Sequence, residues 1–396
     1  VDAIKTLKTL EREKRSATAE EKETLSKYVG WGALAKAFDK NDEKWAAEYK
    51  ELSELLTPQE YAQARSTVND AFYTSPTVID GIYEALANFG FEGGNVLEPA
   101  MGIGNFFGRM PEDMQSHSQL YGVEIDSLSG RIAQALYPDA DIAIQGFEQN
   151  RFQNGCFDVA VGNVPFGELG FRDTVHDTTK LHDFFFAEAL DKLKNGGIMA
   201  FVTSAGTLDK RDESTRQMLA DKADFIGAIR LPGGKNGAFK DNAGTAVTTD
   251  IIFLQKRDRP TQIEPDWVHL GKNDDGFAIN SYFIDNPEMV LGRQTSESTQ
   301  YGRQDFTVAP YEDLDLGVQL KYAIQNIKGS YTEAELPDLG DGEAIDTSIP
   351  ADPNVKNYSY TVVDGEVYYR ENSRMVKPEL NATATERVKG MVELRD

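Results

Sequence analysis

The spacing of apolar side chains changes character twice along this 396-residue chain. In the first seventy residues, charged stretches such as 19–28 combine good helix formers with few β-branched residues, which predicts helices. Thr57-Pro58-Gln59-Glu60 has the pattern of a helix start: Thr as N-cap, Pro at the first helical position and Glu three residues on. Between these lies Tyr28-Val-Gly-Trp-Gly-Ala-Leu34, a Gly-aromatic turn read as a packing element. From about residue 78, short apolar runs predict strands at 95–98, 120–124, 141–144, 157–161, 198–203, 225–231 and 247–255. Amphipathic stretches at 78–87, 128–136, 182–193 and 214–223 predict helices between them. This alternation implies a mainly parallel sheet with right-handed crossovers. The last two strands have no helix between them, which predicts an antiparallel pair. After Pro260 the periodicity fades into polar, Pro-punctuated sequence, until 358–370 alternates around Asp364-Gly365, a hairpin signal. The final pattern, 384–395, is helical and has no stop signal, and the chain starts on Val. Both ends are expected to be cuts in a larger polypeptide. The expected organisation is an N-terminal helical region (1–70), an α/β domain (71–258) and an acidic C-terminal extension (259–396) with the hairpin and a terminal helix.

Composition narrows the function. Hydrophobic residues make up 40% and charged residues 27% of the chain, as in ordinary globular proteins. No apolar run approaches the roughly 18–20 residues of a membrane span. A single cysteine, Cys156, excludes an internal disulfide framework, and four histidines make a His/Cys zinc cluster improbable. A reducing cytoplasm fits. The net charge of −24 opposes nucleic-acid binding, which draws on Lys and Arg. The acidity is uneven: 12 basic and 14 acidic side chains in 1–70, 16 and 26 in 71–258, and 13 and 25 in 259–396. Within 204–240, Lys210, Arg211, Arg216, Lys222, Arg230, Lys235 and Lys240 outnumber the acids by two, an expected approach for DNA.

Three motifs carry chemistry. In Val96-Leu-Glu-Pro-Ala-Met-Gly-Ile-Gly-Asn-Phe106, a strand ends in Glu98 and enters a Gly102-x-Gly104 turn before a helix. Glycine lets backbone approach a ligand, and open α/β sheets bind ligands at the carboxyl ends of strands. The same pattern also serves as a purely structural turn, and Phe107 departs from the dinucleotide G-x-G-x-x-G. About twenty residues on, Tyr121-Gly-Val-Glu-Ile-Asp126 ends the next strand with Glu124, where a carboxylate accepts both ribose hydroxyls of a nucleoside. Asp126 has the alternative role of helix N-cap. The third, Asp158-Val-Ala-Val-Gly-Asn-Val-Pro-Phe-Gly167, delivers Asn163, Val164, Pro165 and Phe166 at the carboxyl end of a buried strand.

This trio resembles the S-adenosylmethionine-dependent N6-adenine DNA methyltransferases, whose Asn/Asp-Pro-Pro-Tyr/Phe motif stands here as Asn163-Val164-Pro165-Phe166. Ala71-Phe-Tyr-Thr-Ser-Pro76 is similar to the family motif that closes over the cofactor's methionine end. His182-Asp-Phe-Phe-Phe-Ala-Glu-Ala-Leu190, Lys194-Asn-Gly-Gly-Ile198, Ala228-Ile-Arg-Leu-Pro232 with Phe239, and Thr249-Asp-Ile-Ile-Phe-Leu-Gln-Lys256 resemble later elements of type I modification subunits. The resemblance covers roughly 70–257. The string 161–167, with Tyr28-Val-Gly-Trp-Gly32 upstream, resembles the methylase portion of very large methylase–helicase proteins of phages and conjugative elements. It implies a Rossmann-like class I methyltransferase sheet, S-adenosylmethionine as cofactor, DNA as substrate, a covalently linked helicase region, and neither metal nor membrane. Carried over residue by residue, it assigns catalysis to Asn163, Val164, Pro165 and Phe166. Cofactor contacts fall to Tyr73, Thr74, Glu98, Ala100, Gly102, Gly104, Asn105, Phe106, Glu124, Ile125, Phe147 and Glu148. DNA contacts fall to Phe166, Phe239, Lys210 and Arg211, with an ordinary loop anchor as the other role of Phe239.

The chemistry suits these residue types. An exocyclic adenine amine is a poor nucleophile because its lone pair is delocalised into the ring. An Asn oxygen and a backbone carbonyl accept its two N–H bonds and aim the lone pair at the sulfonium methyl. Two departures stand out. Val164 replaces a proline, so an extra N–H and a freer φ are expected to loosen the loop. Phe147 stands where the family has an acid for the cofactor's adenine amine, with Glu148 one residue later; either the register shifts or adenine is held by stacking and backbone contacts. The valine keeps open a non-catalytic scaffold of a helicase or anti-restriction protein. Asn-Pro-Pro-Tyr loops also leave open methylation of protein glutamine or a guanine N2. Cys156 and His182-Asp183 read as packing and a helix start, and His117, His176 and His269 lack ligand spacing.

Overall fold

The computed structural model describes residues 1–32, 34–66, 73–165, 168–234, 237–239, 247–298, 304–332 and 348–395. Phe166 and Gly167, Ala71 and Phe72, and Lys235 and Lys240 lie outside the described residues.

The N-terminal region is helical, with α1 (Asp2–Glu13), α2 (Ala19–Ser26), α3 (Ala46–Leu55) and α4 (Pro58–Ser66). In α1, Ala3, Ile4, Leu7 and Leu10 recur at helical spacing and are buried together. The start predicted at Thr57 forms a capping box: the Glu60 amide donates to Thr57 Oγ1 at 3.2 Å and the Thr57 amide to Glu60 Oε2 at 2.8 Å.

The alternating segment then gives α5 (Pro76–Asn88), β1 (Asn95–Glu98), α6 (Asn105–Arg109), α7 (Glu112–Ser116), β2 (Gln119–Glu124), α8 (Ser127–Leu136), β3 (Asp141–Ile144) and β4 (Phe157–Asn163). It continues as β5 (Glu168–Asp173), β6 (Thr178–Lys180), α9 (Leu181–Lys192), β7 (Leu193–Ser204), α10 (Gly206–Asp209), α11 (Ser214–Lys222), β8 (Ala223–Leu231) and β9 (Thr249–Lys256). Seven strands form one sheet in the order β3-β2-β1-β4-β7-β9-β8. The pairs among β3, β2, β1, β4 and β7 are parallel, whereas β9 enters between β7 and β8 antiparallel to both. This is the mainly parallel sheet with an antiparallel last pair that the strand–helix alternation predicts. The β5–β6 hairpin is an addition that the polar 168–180 sequence, without apolar alternation, does not predict.

The main hydrophobic core fills both faces of this sheet, and a second cluster joins α1, α2 and α4 to α8 through Leu128, Ile132 and Leu136. After β9 come β10 (Leu270–Lys272) and β11 (Ala278–Asn280), α12 (Ser281–Asp285), and the β12 (Arg293–Ser298) and β13 (Gln304–Ala309) hairpin. Next, α13 (Leu316–Asn326) packs on α5. The predicted hairpin appears as β15 (Tyr360–Val363) and β16 (Glu366–Glu371), in a sheet with β14 (Ile349–Pro350) and β17 (Arg374–Val376), followed by α14 (Ala382–Arg395). Arg370 braces this sheet against the α/β unit: it and Arg257 share Asp224 Oδ1 at 2.6 and 2.5 Å, all three buried. Among the described residues, no helix is long and apolar enough to cross a membrane.

Candidate functional site

Because β1, β2 and β4 are parallel neighbours, their carboxyl ends bring Glu98, Glu124 and Asn163 to one edge of the sheet. Two glycines make the turn after β1 possible. Gly102 (φ +57°) and Gly104 (φ +84°) are left-handed, and a Cβ on Gly102 would lie 2.8 Å from Tyr73 Cε1. Glu124 ties this turn to the next one, accepting the Gly102 amide at 2.7 Å on one oxygen and the Asp126 amide at 2.7 Å on the other. Asp126 in turn caps α8, accepting the Ser129 amide at 2.9 Å.

These turns surround a cavity of about 370 Å³, within the range of small-molecule sites. Tyr73, Thr74, Glu98, Ala100, Gly102, Asn105, Phe106, Glu124, Ile125, Phe147, Glu148, Asn163, Val164 and Pro165 all line it. Gly104 does not; it is the left-handed residue from which α6 starts. Phe147 is buried and packs its ring 5.2 Å from Phe185, while Glu148 is exposed at the rim. The cavity therefore offers an aromatic wall and, one residue on, a carboxylate.

Burial raises the Glu98 carboxyl well above the usual range, and the nearby Glu124 charge adds to this. Glu98 Oε2 has no hydrogen-bond partner among the described residues. Burial also lifts Glu124, to about 7, although the Asp126 and Gly102 amides pull it down. Two desolvated carboxylates flanking one cavity favour a ligand that brings positive charge and hydroxyl donors. S-adenosylmethionine has both, so the residues of this lining fit it.

At Val164, where the loosening is expected, the extra N–H has a partner. Its N–H, which proline would lack, donates to the Val202 carbonyl at 3.0 Å, and the residue is 1% exposed. Val164 is tied to β7 through the substitution itself.

Within the basic stretch, Arg216 and Arg230 are not surface cations. Arg230 is fully buried, bonded to Asp250 at 2.8 and 2.9 Å and to Asp209 at 2.7 Å, with its guanidinium 4.2 Å from the Phe283 ring. Arg216 is also fully buried and donates to the Val268 and Lys210 carbonyls. Lys222 pairs with Asp191 at 2.8 Å. Lys210 donates to Asp183 at 2.6 Å and Thr215 at 2.8 Å, which leaves Arg211 exposed beside it. These cations hold the fold, and a count along the sequence cannot tell a buried guanidinium from a surface one. Phe239 is 3% exposed within the main core and does not line the cavity.

Other elements contribute what the sequence reading did not place. Gly30, Trp31, Met101, Ser129, Gln145, Leu181 and Phe185 also line the cavity. The N-terminal helices grip the turn after β2: Gln63 donates to the Ile125 carbonyl at 2.7 Å and accepts the Ser127 amide at 3.3 Å. Arg131 on α8 pairs with Glu60 at 2.5 Å and Glu11 at 3.3 Å.

The phage P1 protein "Defense against restriction protein B" is 34% identical over 192 residues, 47% of this chain but 8% of that protein. The chain thus corresponds to a small part of that relative. The type I restriction-modification methyltransferase subunit of Streptococcus thermophilus is 16% identical, with 63% of this chain and 61% of that one covered and a TM-score of 0.41. The M protein of the type I restriction enzyme EcoKI is 18% identical, with 64% and 60% covered and a TM-score of 0.37. Residues 54–268 match the N-6 DNA methylase family profile over more than half of the chain. The strand ends that carry Glu98, Glu124 and Asn163 all fall inside that span, and the chain belongs to the N-6 DNA methylase family.

Proposed function

We propose that this chain is a DNA methyltransferase that moves a methyl group from S-adenosylmethionine to the N6 amine of an adenine. The observation that carries the reading is the placement of Asn163-Val164-Pro165 in the same cavity as Glu98 and Glu124. S-adenosylmethionine supplies an electrophilic methyl on a sulfonium. Asn163 and the backbone carbonyl of its loop accept the amine's N–H bonds, and the nitrogen's lone pair is thereby aimed at the methyl. The C–S bond breaks as the N–C bond forms, and the amine then loses one proton to solvent. Phe166 stacks on the target base, which leaves the duplex at a cost of a few kcal/mol. DNA is the partner, with a covalently linked helicase region in the longer protein.

The test compares transfer of labelled methyl from S-adenosylmethionine to DNA by the wild type and by Asn163→Ala. The expected result is labelled N6-methyladenine with the wild type and at least a roughly hundredfold loss in the variant. Cofactor binding without transfer above the variant's background would instead establish a non-catalytic scaffold. Label in protein or RNA rather than DNA would reassign the substrate.

A further inference from the structure

The Tyr28-Val-Gly-Trp-Gly32 turn is not part of the α/β unit, yet Gly30 and Trp31 line the cavity. Gly30 sits at φ +68°, a conformation that favours glycine, and the turn buries the Trp31 ring to 5% exposure. Tyr28 meets that ring edge-on at 6.0 Å and Phe38 does so at 5.1 Å, so its orientation is fixed by packing. The indole Nε1–H nevertheless has no acceptor among the described residues. A buried N–H left without an acceptor costs about 1–3 kcal/mol, so an orphaned donor in a cavity wall marks a ligand acceptor.

The chemistry of the cavity identifies that acceptor. Glu98 and Glu124 are acceptors, suited to the ammonium and hydroxyl groups of an amino-acid nucleoside. Acting as acceptors for those groups, they leave the ligand's own carboxylate to find donors elsewhere. Trp31 and Thr74 line this cavity, and their donors, Trp31 Nε1 and Thr74 Oγ1, are buried and lack partners among the described residues. We propose that Trp31, from the N-terminal helical region, binds the carboxylate of the cofactor's amino-acid end through its indole N–H. This rests on the cofactor assigned under the proposed function. It makes the N-terminal helices a working part of the cofactor site.

Calorimetric titration of the wild type and of Trp31→Phe tests it, with S-adenosylmethionine, S-adenosylhomocysteine and decarboxylated S-adenosylmethionine as probes. Trp31→Phe is expected to weaken the two carboxylate-bearing ligands about tenfold or more and to leave the decarboxylated one unchanged. The wild type itself is expected to prefer S-adenosylmethionine over its decarboxylated form, a readout that needs no variant. Absence of that preference, or a loss in the variant equal for all three ligands, would overturn the carboxylate contact and leave Trp31 a packing wall. A wild type that binds none of the three would overturn the cofactor reading itself.

Discussion

The amide of Val164 donates to the carbonyl of Val202 at 3.0 Å, so the residue that departs from the family's Asn-Pro-Pro-Tyr pattern is the one that fastens the loop to β7. Proline at 164 would lose this bond and leave the Val202 carbonyl unpaired. Val164→Pro is therefore expected to lower stability by about 1 kcal/mol in denaturant melts and to bring no gain in methyl transfer. A clear gain in rate would show that the loop position, not the bond, limits the wild type.

Glu124 gives a pH dependence whose sign is fixed. Its carboxyl is raised from the ordinary carboxylate range to about 7 in the fold, so the protonated form is favoured there over the unfolded chain. Its contribution to stability is complete below about pH 4.3 and is lost as pH rises through about 7. A cationic ligand prefers the ionised carboxylate. Affinity for S-adenosylmethionine should accordingly increase between pH 6 and pH 8, while Glu124→Gln should flatten the profile.

A second ionisable device holds the β5–β6 hairpin. The side chain of His176 is buried, with Nδ1 2.6 Å from Asp173 and Nε2 3.1 Å from Asp191. Hydrogen bonding to Asp191 is the main cause of a raised imidazole pKa, with Asp173 adding to it and burial opposing. The charged imidazole thus stabilises the fold fully below about pH 6.5, and the contribution fades as pH rises through the higher folded value. Protection factors for hydrogen exchange across 173–180, taken relative to the intrinsic base-catalysed rate, should fall at pH 8 to 9 relative to pH 6, and His176→Gln should remove most of that fall.

The buried guanidinium of Arg230 makes a pair of predictions about DNA. Asp250→Ala is expected to destabilise the chain by about 3 kcal/mol, because a fully desolvated charge loses a partner. Arg211→Ala should leave stability unchanged and weaken DNA binding. Binding by the wild type should be weak and fall steeply between low and moderate salt, given the net charge of −24. Tight, salt-resistant binding would point to a cationic surface elsewhere.

Strand ends were the most legible part of the molecule. Glu98, Glu124 and Asn163 each terminate an apolar run, and the alternation of strands with amphipathic helices is enough to align three such ends on one edge. The antiparallel entry of β9 was also foreshadowed by the missing helix before it. Trp31 was placed only as packing, because an aromatic between glycines looks the same whether its N–H faces a core or a ligand. Arg216 and Arg230 misled for a different reason: linear charge carries no depth, and both are desolvated by segments that follow them, β9 and the stretch around Val268 and Phe283. The acidic partner of Arg230, Asp250, lies twenty residues on.

Gln63 holds the turn after β2 by two main-chain atoms, with one donor and one acceptor on a single amide. Its grip is blind to which side chains occupy 125 and 127. Ile125 is 62% exposed and faces the cavity, so that wall can be exchanged for a smaller, larger or polar residue while the turn stays in place. Gln63 has no such latitude, since a glutamate there would lose the donor and a lysine the acceptor. Mutational drift should therefore be permissive at the residue lining the cavity and strict at the one outside it that holds the turn, the reverse of the usual expectation for a binding site.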